Sequence, residues 1–132
     1  MSLQNVERAR GVIEAQQRGG DLTAVLHPQI EWDISAHPLP DFPDRGAGRA
    51  EFLAHLAGYF TGWNDYRASI GETIDAGDDV VLIVHERAAM RASDVVLDRD
   101  LPMVWTVRDD TCVRFRVFRD RAEALRAVGL AQ

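Results

Sequence analysis

His55 and Tyr59 stand four residues apart in the stretch EFLAHLAGYF. That spacing is one helical turn, so a helix places the imidazole and the phenol on one face. Imidazole titrates near neutrality and a phenol donates to developing negative charge, which suits the pair to acid/base work. A second candidate is Asp33, next to Trp32 in IEWDISAHP. Apolar walls raise a carboxylate toward the range in which it takes a proton beside a carbonyl, and Trp32 can supply such a wall. Strand alternation opposes this role: with Trp32 facing the core, Asp33 faces the other side unless a bulge intervenes.

His85 and Glu86 are neighbours on an expected strand, so one faces the interior and the other the outer face of the sheet. Sequence leaves open which one. Arg87 shares the parity of His85 and is read as a receptor for a carboxylate or as a solvated strand end. Asp120 opens a D-x-x-E segment and is adequately explained as a helix cap. His27, His37, His55 and His85 show no HxH, HxxxH or HExxH spacing, so no metal is expected. No GxGxxG, Walker or GxSxG stretch occurs, which leaves nucleotide binding and serine chemistry unsupported, and no cofactor is expected.

The elements that must position these residues are legible in the periodicity. Val6, Ala9, Val12 and Ile13 recur at helical spacing and Gly19-Gly20 closes them, predicting a first helix over residues 4–18. Asp21 caps an expected short second helix carrying Leu22, Val25 and Leu26, which stops at His27-Pro28. Ile30, Trp32 and Ile34 then alternate with Glu31 and Asp33 in a strand with one buried face. Residues 35–47, rich in proline, are expected to form a loop of the length that more often rims a site than merely connects. Phe52, His55, Leu56, Tyr59 and Phe60 mark a third helix between Gly48 and Gly62.

The second half changes to period two. Tyr66, Ala68, Ile70 and Ile74 alternate, the chain turns at 76–79, and Val80 to Val84 is apolar at both parities, as in a strand covered on both faces. A turn is expected near 91–94. Beyond it Val95, Leu97, Leu101, Met103, Trp105 and Val107 share one face, Asp109-Asp110 turns again, and Val113, Phe115 and Val117 alternate with arginines. A closing helix runs from Asp120 to near Gly129. Helices first and hairpin-linked strands after predict an α+β domain with helices gathered on one face of an antiparallel sheet.

A chain of 132 residues, 46% hydrophobic, makes one domain with a core that needs no metal or disulfide staple. Its formal charge of -6 argues against nucleic acid and anionic lipid as partners. The basic residues are all arginine. A single cysteine, Cys112, excludes an internal disulfide and any CxxC site, and a cytoplasmic location is expected. No stretch approaches the roughly 18 apolar residues of a membrane span, and no basic-then-apolar signal pattern opens the sequence.

Four stretches carry a resemblance that covers nearly the whole chain: GGDLTAVLHPQIEWD, RGAGRAEFLAHL, the AGDDVV turn and VWTVRDDTCVRFRVFRDRAEAL. Together they resemble the nuclear-transport-factor-2-like fold, in its SnoaL-like and ketosteroid-isomerase-like branches. The resemblance implies a cone-shaped, curved antiparallel sheet wrapped around three N-terminal helices, a short C-terminal helix, a cavity for a small apolar molecule, and homodimerisation through the sheet. The expected pocket lies among Trp32, Phe52, Tyr66, His85, Met103, Trp105 and Phe115, and His55, Tyr59 and Asp33, read from the residues themselves, are its acid/base candidates. Isomerase-type members carry an acid on the first strand, a tyrosine on helix one and a second acid on the penultimate strand. The matching positions here are Ile34, Ile13 and Met103, all apolar, so that constellation is absent. The expected function is cofactor-free proton transfer, as in an isomerase, cyclase or dehydratase, with a non-catalytic binding or dimerisation module as the alternative.

Overall fold

A computed structural model describes residues 2–37, 42–90 and 95–130. Helix α1 (Ser2–Gln17) buries Ala9, Val12 and Ile13, the stripe that its periodicity predicts. It ends where Gly19 takes φ +69° and Gly20 N–H returns to the Ala15 carbonyl at 2.7 Å, a left-handed stop that glycine adopts without steric cost.

The expected short second helix is not formed. Asp21 accepts from Thr23 N–H at 2.9 Å, and Val25 and Leu26 N–H both reach the Leu22 carbonyl, which makes one turn. Strand β1 (Leu26–Asp33) then starts before Pro28. A capped turn followed by a proline has no room to propagate, because the residue before proline avoids helical angles.

The loop expected over 35–47 contains a third element: β2 (Arg45–Ala47) pairs antiparallel with β1, Trp32 opposite Gly46. Glycine is required there, since a Cβ on Gly46 would overlap the Trp32 indole ring. Helix α2 (Arg49–Thr61) follows and buries Phe52.

Four strands then meander: β3 (Trp63–Ala76), β4 (Asp79–Met90), β5 (Val96–Arg108) and β6 (Thr111–Val117). Gly77, with φ +79°, sits first in the two-residue turn between β3 and β4. Asp109 and Asp110 both take positive φ between β5 and β6, the geometry that matches the twist of a tight hairpin. The turn expected near 91–94 lies outside the described residues. Helix α3 (Arg121–Ala127) is capped by Asp120, which accepts from Glu123 N–H at 2.9 Å.

The sheet order is β2-β1-β6-β5-β4-β3, unclosed. It is mixed and not wholly antiparallel as expected, because β1 runs parallel to β6. Two helices, α1 and α2, replace the three expected ahead of the meander. The core on the helix side includes Phe52, Leu82 and Ile30, each fully buried; each such side chain contributes on the order of 2 kcal/mol.

A smaller cluster lies on the opposite face, where Val81 and Val104 are buried with Ala124 of α3. The double-sided apolar run of β4 is thus covered by the chain's own last helix. A bulge between Ile70 and Glu72 shifts the parity of β3, so Ile74 joins that second cluster instead of the face of Tyr66, Ala68 and Ile70. No helix among the described residues is long and apolar enough to cross a membrane.

Candidate active site

Between α1, α2 and the inner face of β3–β6 lies a pocket of about 70 Å³. Drug-sized ligands occupy roughly 300 Å³ or more, so this pocket takes a small group, or a larger guest with movement of its walls. Those walls are apolar, from Ile13, Phe52, Leu101, Met103, Trp105 and Phe115. Trp105 stacks on Phe115 at 4.4 Å between centroids, and its indole N–H is satisfied by the Met103 sulfur at 3.1 Å.

Into this apolar surface projects one buried acid. Glu86, 2% exposed, lies on β4 at the parity of Val80, Leu82 and Val84, directly opposite Arg99 of β5. Arg99 Nε donates to its Oε1 at 2.9 Å. Tyr59 Oη, from α2, donates to Oε2 at 3.2 Å, and Tyr66 Oη, from β3, donates to the same oxygen. Three elements therefore converge on one carboxylate. Burial pushes both phenols well above their ordinary pKa, and the charge of Glu86 adds to the shift, so the tyrosines stay protonated and donate. Burial alone pulls the Arg99 guanidinium down, but the bond to Glu86 and its charge outweigh that and the net direction is up.

Two further polar groups line the pocket, Gln16 of α1 and His37 after β1. Burial, reinforced by the charge of Arg99, depresses the His37 imidazole below its ordinary value, which keeps it neutral at neutral pH.

Of the pocket residues expected from sequence, Phe52, Tyr66, Met103, Trp105 and Phe115 line it, and so does Tyr59. His85 does not: it points to the outer face, with Nε2 2.8 Å from Asp98 and Nδ1 2.8 Å from Asp100. Strand alternation is the reason, for turning Glu86 inward turns His85 outward. Arg87 shares its side and lies 3.5 Å from Asp98.

His55 sits beside the pocket, not in its lining, with its ring 5.9 Å from Trp32 and 5.2 Å from Phe42. The helical turn carries Tyr59 to the pocket but leaves His55 over the β1–β2 edge. Trp32 is likewise buried behind the lining, its indole N–H held by the Pro43 carbonyl at 2.9 Å.

Asp33 faces away from the pocket. It accepts from Ser35 N–H and Oγ and from Arg45 Nε at 3.1 Å. Partial burial raises its pKa, but those donors outweigh burial and leave the carboxyl below its usual range. No bulge reorients it beside Trp32, so the alternation rule holds. Ile13, Ile34 and Met103 all line the pocket.

Of the two strand neighbours left open in sequence, Glu86 is the one that faces the pocket; Arg99, Gln16 and His37 are the lining residues that sequence reading did not gather. Glu86 and Arg99 carried a signal nonetheless: each falls at the core parity of an otherwise apolar strand.

The model of the SnoaL-like domain matches residues 9–115. The chain belongs to the SnoaL-like domain family. Three solved structures share its nuclear-transport-factor-2-like fold. A protein of unknown function from Burkholderia pseudomallei is 23% identical, with a TM-score of 0.73 over 96% of this chain and 98% of that one. A candidate SnoaL-like polyketide cyclase from Jannaschia sp. CCS1 is 17% identical, with a TM-score of 0.76 over 99% and 95%. TerC, co-crystallised with polyporic acid, is 20% identical, with a TM-score of 0.72 over 95% and 98%. No curated protein matches the chain. At these identities the likeness of these structures shows the fold alone.

Proposed function

We propose that this SnoaL-like protein takes a small, largely apolar molecule into the pocket between its helices and sheet and moves a proton on it without a cofactor. The observation that carries this reading is the buried Glu86, held by Arg99, Tyr59 and Tyr66 against apolar walls. Stability does not call for such a group, because a buried ion pair is often replaced by hydrophobic side chains at no loss. Fixed charges and dipoles in a water-poor site act strongly on charge that develops during a reaction.

One observation favours the alternative, a binding protein without turnover. Oε1 of Glu86 is engaged by Arg99 and Oε2 by two phenols, so both carboxylate oxygens are already occupied by the protein's own donors. Ile13, Ile34 and Met103 add to this, standing where isomerase-type members carry acids and a tyrosine. Homodimerisation through the sheet belongs to either version. Its contact would be polar along His85, Arg87, Asp98 and Asp100, since α3 already covers Val81 and Val104.

Methyl NMR tests the reading. Titration with small ring ketones is expected to shift the methyl signals of Ile13, Ile34, Val84 and Leu101 in a saturable way. Shifts confined to Leu3, Val95 and Val96, which are exposed, would contradict it.

A further inference from the structure

Among the described residues, three buried side-chain polar atoms lack a hydrogen-bond partner: Gln16 Nε2, His37 Nε2 and Arg116 Nε. Arg116 belongs to the other face of the sheet, where its guanidinium lies over Phe118 and 3.7 Å from Asp79. The remaining two line the same pocket. Proteins rarely leave buried donors or acceptors without a partner, and each such group costs free energy until it finds one.

We propose that Gln16 and His37 are the recognition groups of this pocket and that its guest is a neutral hydroxy-ketone on a small ring. This rests on the small-molecule reading above and adds to it the chemistry of the guest. The amide N–H of Gln16 requires an acceptor, which a carbonyl oxygen supplies. Nε2 of a neutral imidazole is donor or acceptor according to its tautomer, and a hydroxyl answers either. Neutrality follows from the charges: Glu86 is matched by Arg99 at 2.9 Å, so the lining offers no net charge to an ion. The ring follows from the aromatic and aliphatic walls, with the flexible Met103 and Leu56 able to yield to its width.

Four compounds of nearly one shape separate these contributions: 4-hydroxyacetophenone, acetophenone, 4-ethylphenol and ethylbenzene. Their dissociation constants are measured by NMR titration at pH 7 on the full chain and on Gln16→Leu and His37→Phe. In the unaltered protein the carbonyl and the hydroxyl should each tighten binding roughly fivefold over ethylbenzene. Gln16→Leu should remove the carbonyl advantage and keep the hydroxyl one; His37→Phe should do the reverse. A merely structural role would weaken all four compounds alike, and that result, or an unchanged ranking in both variants, overturns the proposal while leaving the small-molecule reading in place. Failure of all four to bind the unaltered protein overturns both.

Discussion

Glu86 and Arg99 occupy directly opposed positions of β4 and β5 and meet inside the fold, Nε to Oε1 at 2.9 Å, while the adjacent His85 meets Asp98 and Asp100 on the outside. One strand thus carries an ion pair on each face. The two pairs differ in worth. The inner acid is 2% exposed and bound by three side chains from three elements, whereas the outer pair is solvated and screened.

Tyr66→Phe removes one of the donors to a buried carboxylate. A hydrogen bond to a charged group contributes about 1.5–3 kcal/mol, and a loss of that size should appear in urea unfolding with an unchanged m-value. A loss below about 0.5 kcal/mol would mean that Tyr66 Oη faces water.

The two histidines should titrate in opposite directions from the ordinary value of 6.5. Burial, with Arg99 behind it, lowers His37; the hydrogen bond to Asp100, with the charge of Asp98, raises His85. His37 therefore contributes stability that is present above 6.5 and is lost as pH falls toward its folded value. The contribution of His85 is full below 6.5 and is lost as pH rises through its higher folded value. Imidazole NMR titration checks both; two coincident curves would contradict the assignment of the faces.

Gly46→Ala drives a methyl into the Trp32 ring. Overpacking of this kind costs about 1–3 kcal/mol, and displacement of Trp32 from the Pro43 carbonyl should change the indole fluorescence. A variant as stable as the parent would show that β2 is not held where it is described.

Asp33→Asn and His55→Phe should leave guest binding unchanged, because neither residue lines the pocket. Asp33 loses an exposed pair to Arg45, worth up to about 1 kcal/mol. A large loss of affinity in His55→Phe, measured on the same four ring compounds, would restore that histidine to the site.

Much of this architecture is legible in the residues. The α1 stripe, the alternation of β1 and the aspartate turn before β6 all follow from local rules that the tertiary structure leaves alone. Three features are not local. The parallel pairing of β1 with β6 joins segments about eighty residues apart, and nothing in either segment states its partner. The bulge at 70–72, which sends Ile74 to the α3 side, is a feature of the pairing of β3 with β4. The short β2 hides among prolines, betrayed only by Gly46, whose missing side chain makes sense once Trp32 lies over it. At the site, apolar periodicity drew attention to aromatic residues and to His55. The telling residues were charges at core parity, Glu86 and Arg99, and each looks like an interruption until the other is placed across from it.

The most direct measurement is a double-mutant cycle on Glu86 and Arg99, read by urea unfolding. Arg99→Met strands a buried carboxylate and should cost about 3 kcal/mol. Adding Glu86→Gln neutralises that group, so the double variant should be more stable than the sum of the two single losses by about 1.5 kcal/mol or more. Losses that add to within about 0.5 kcal/mol would show that the two residues do not meet in a buried site.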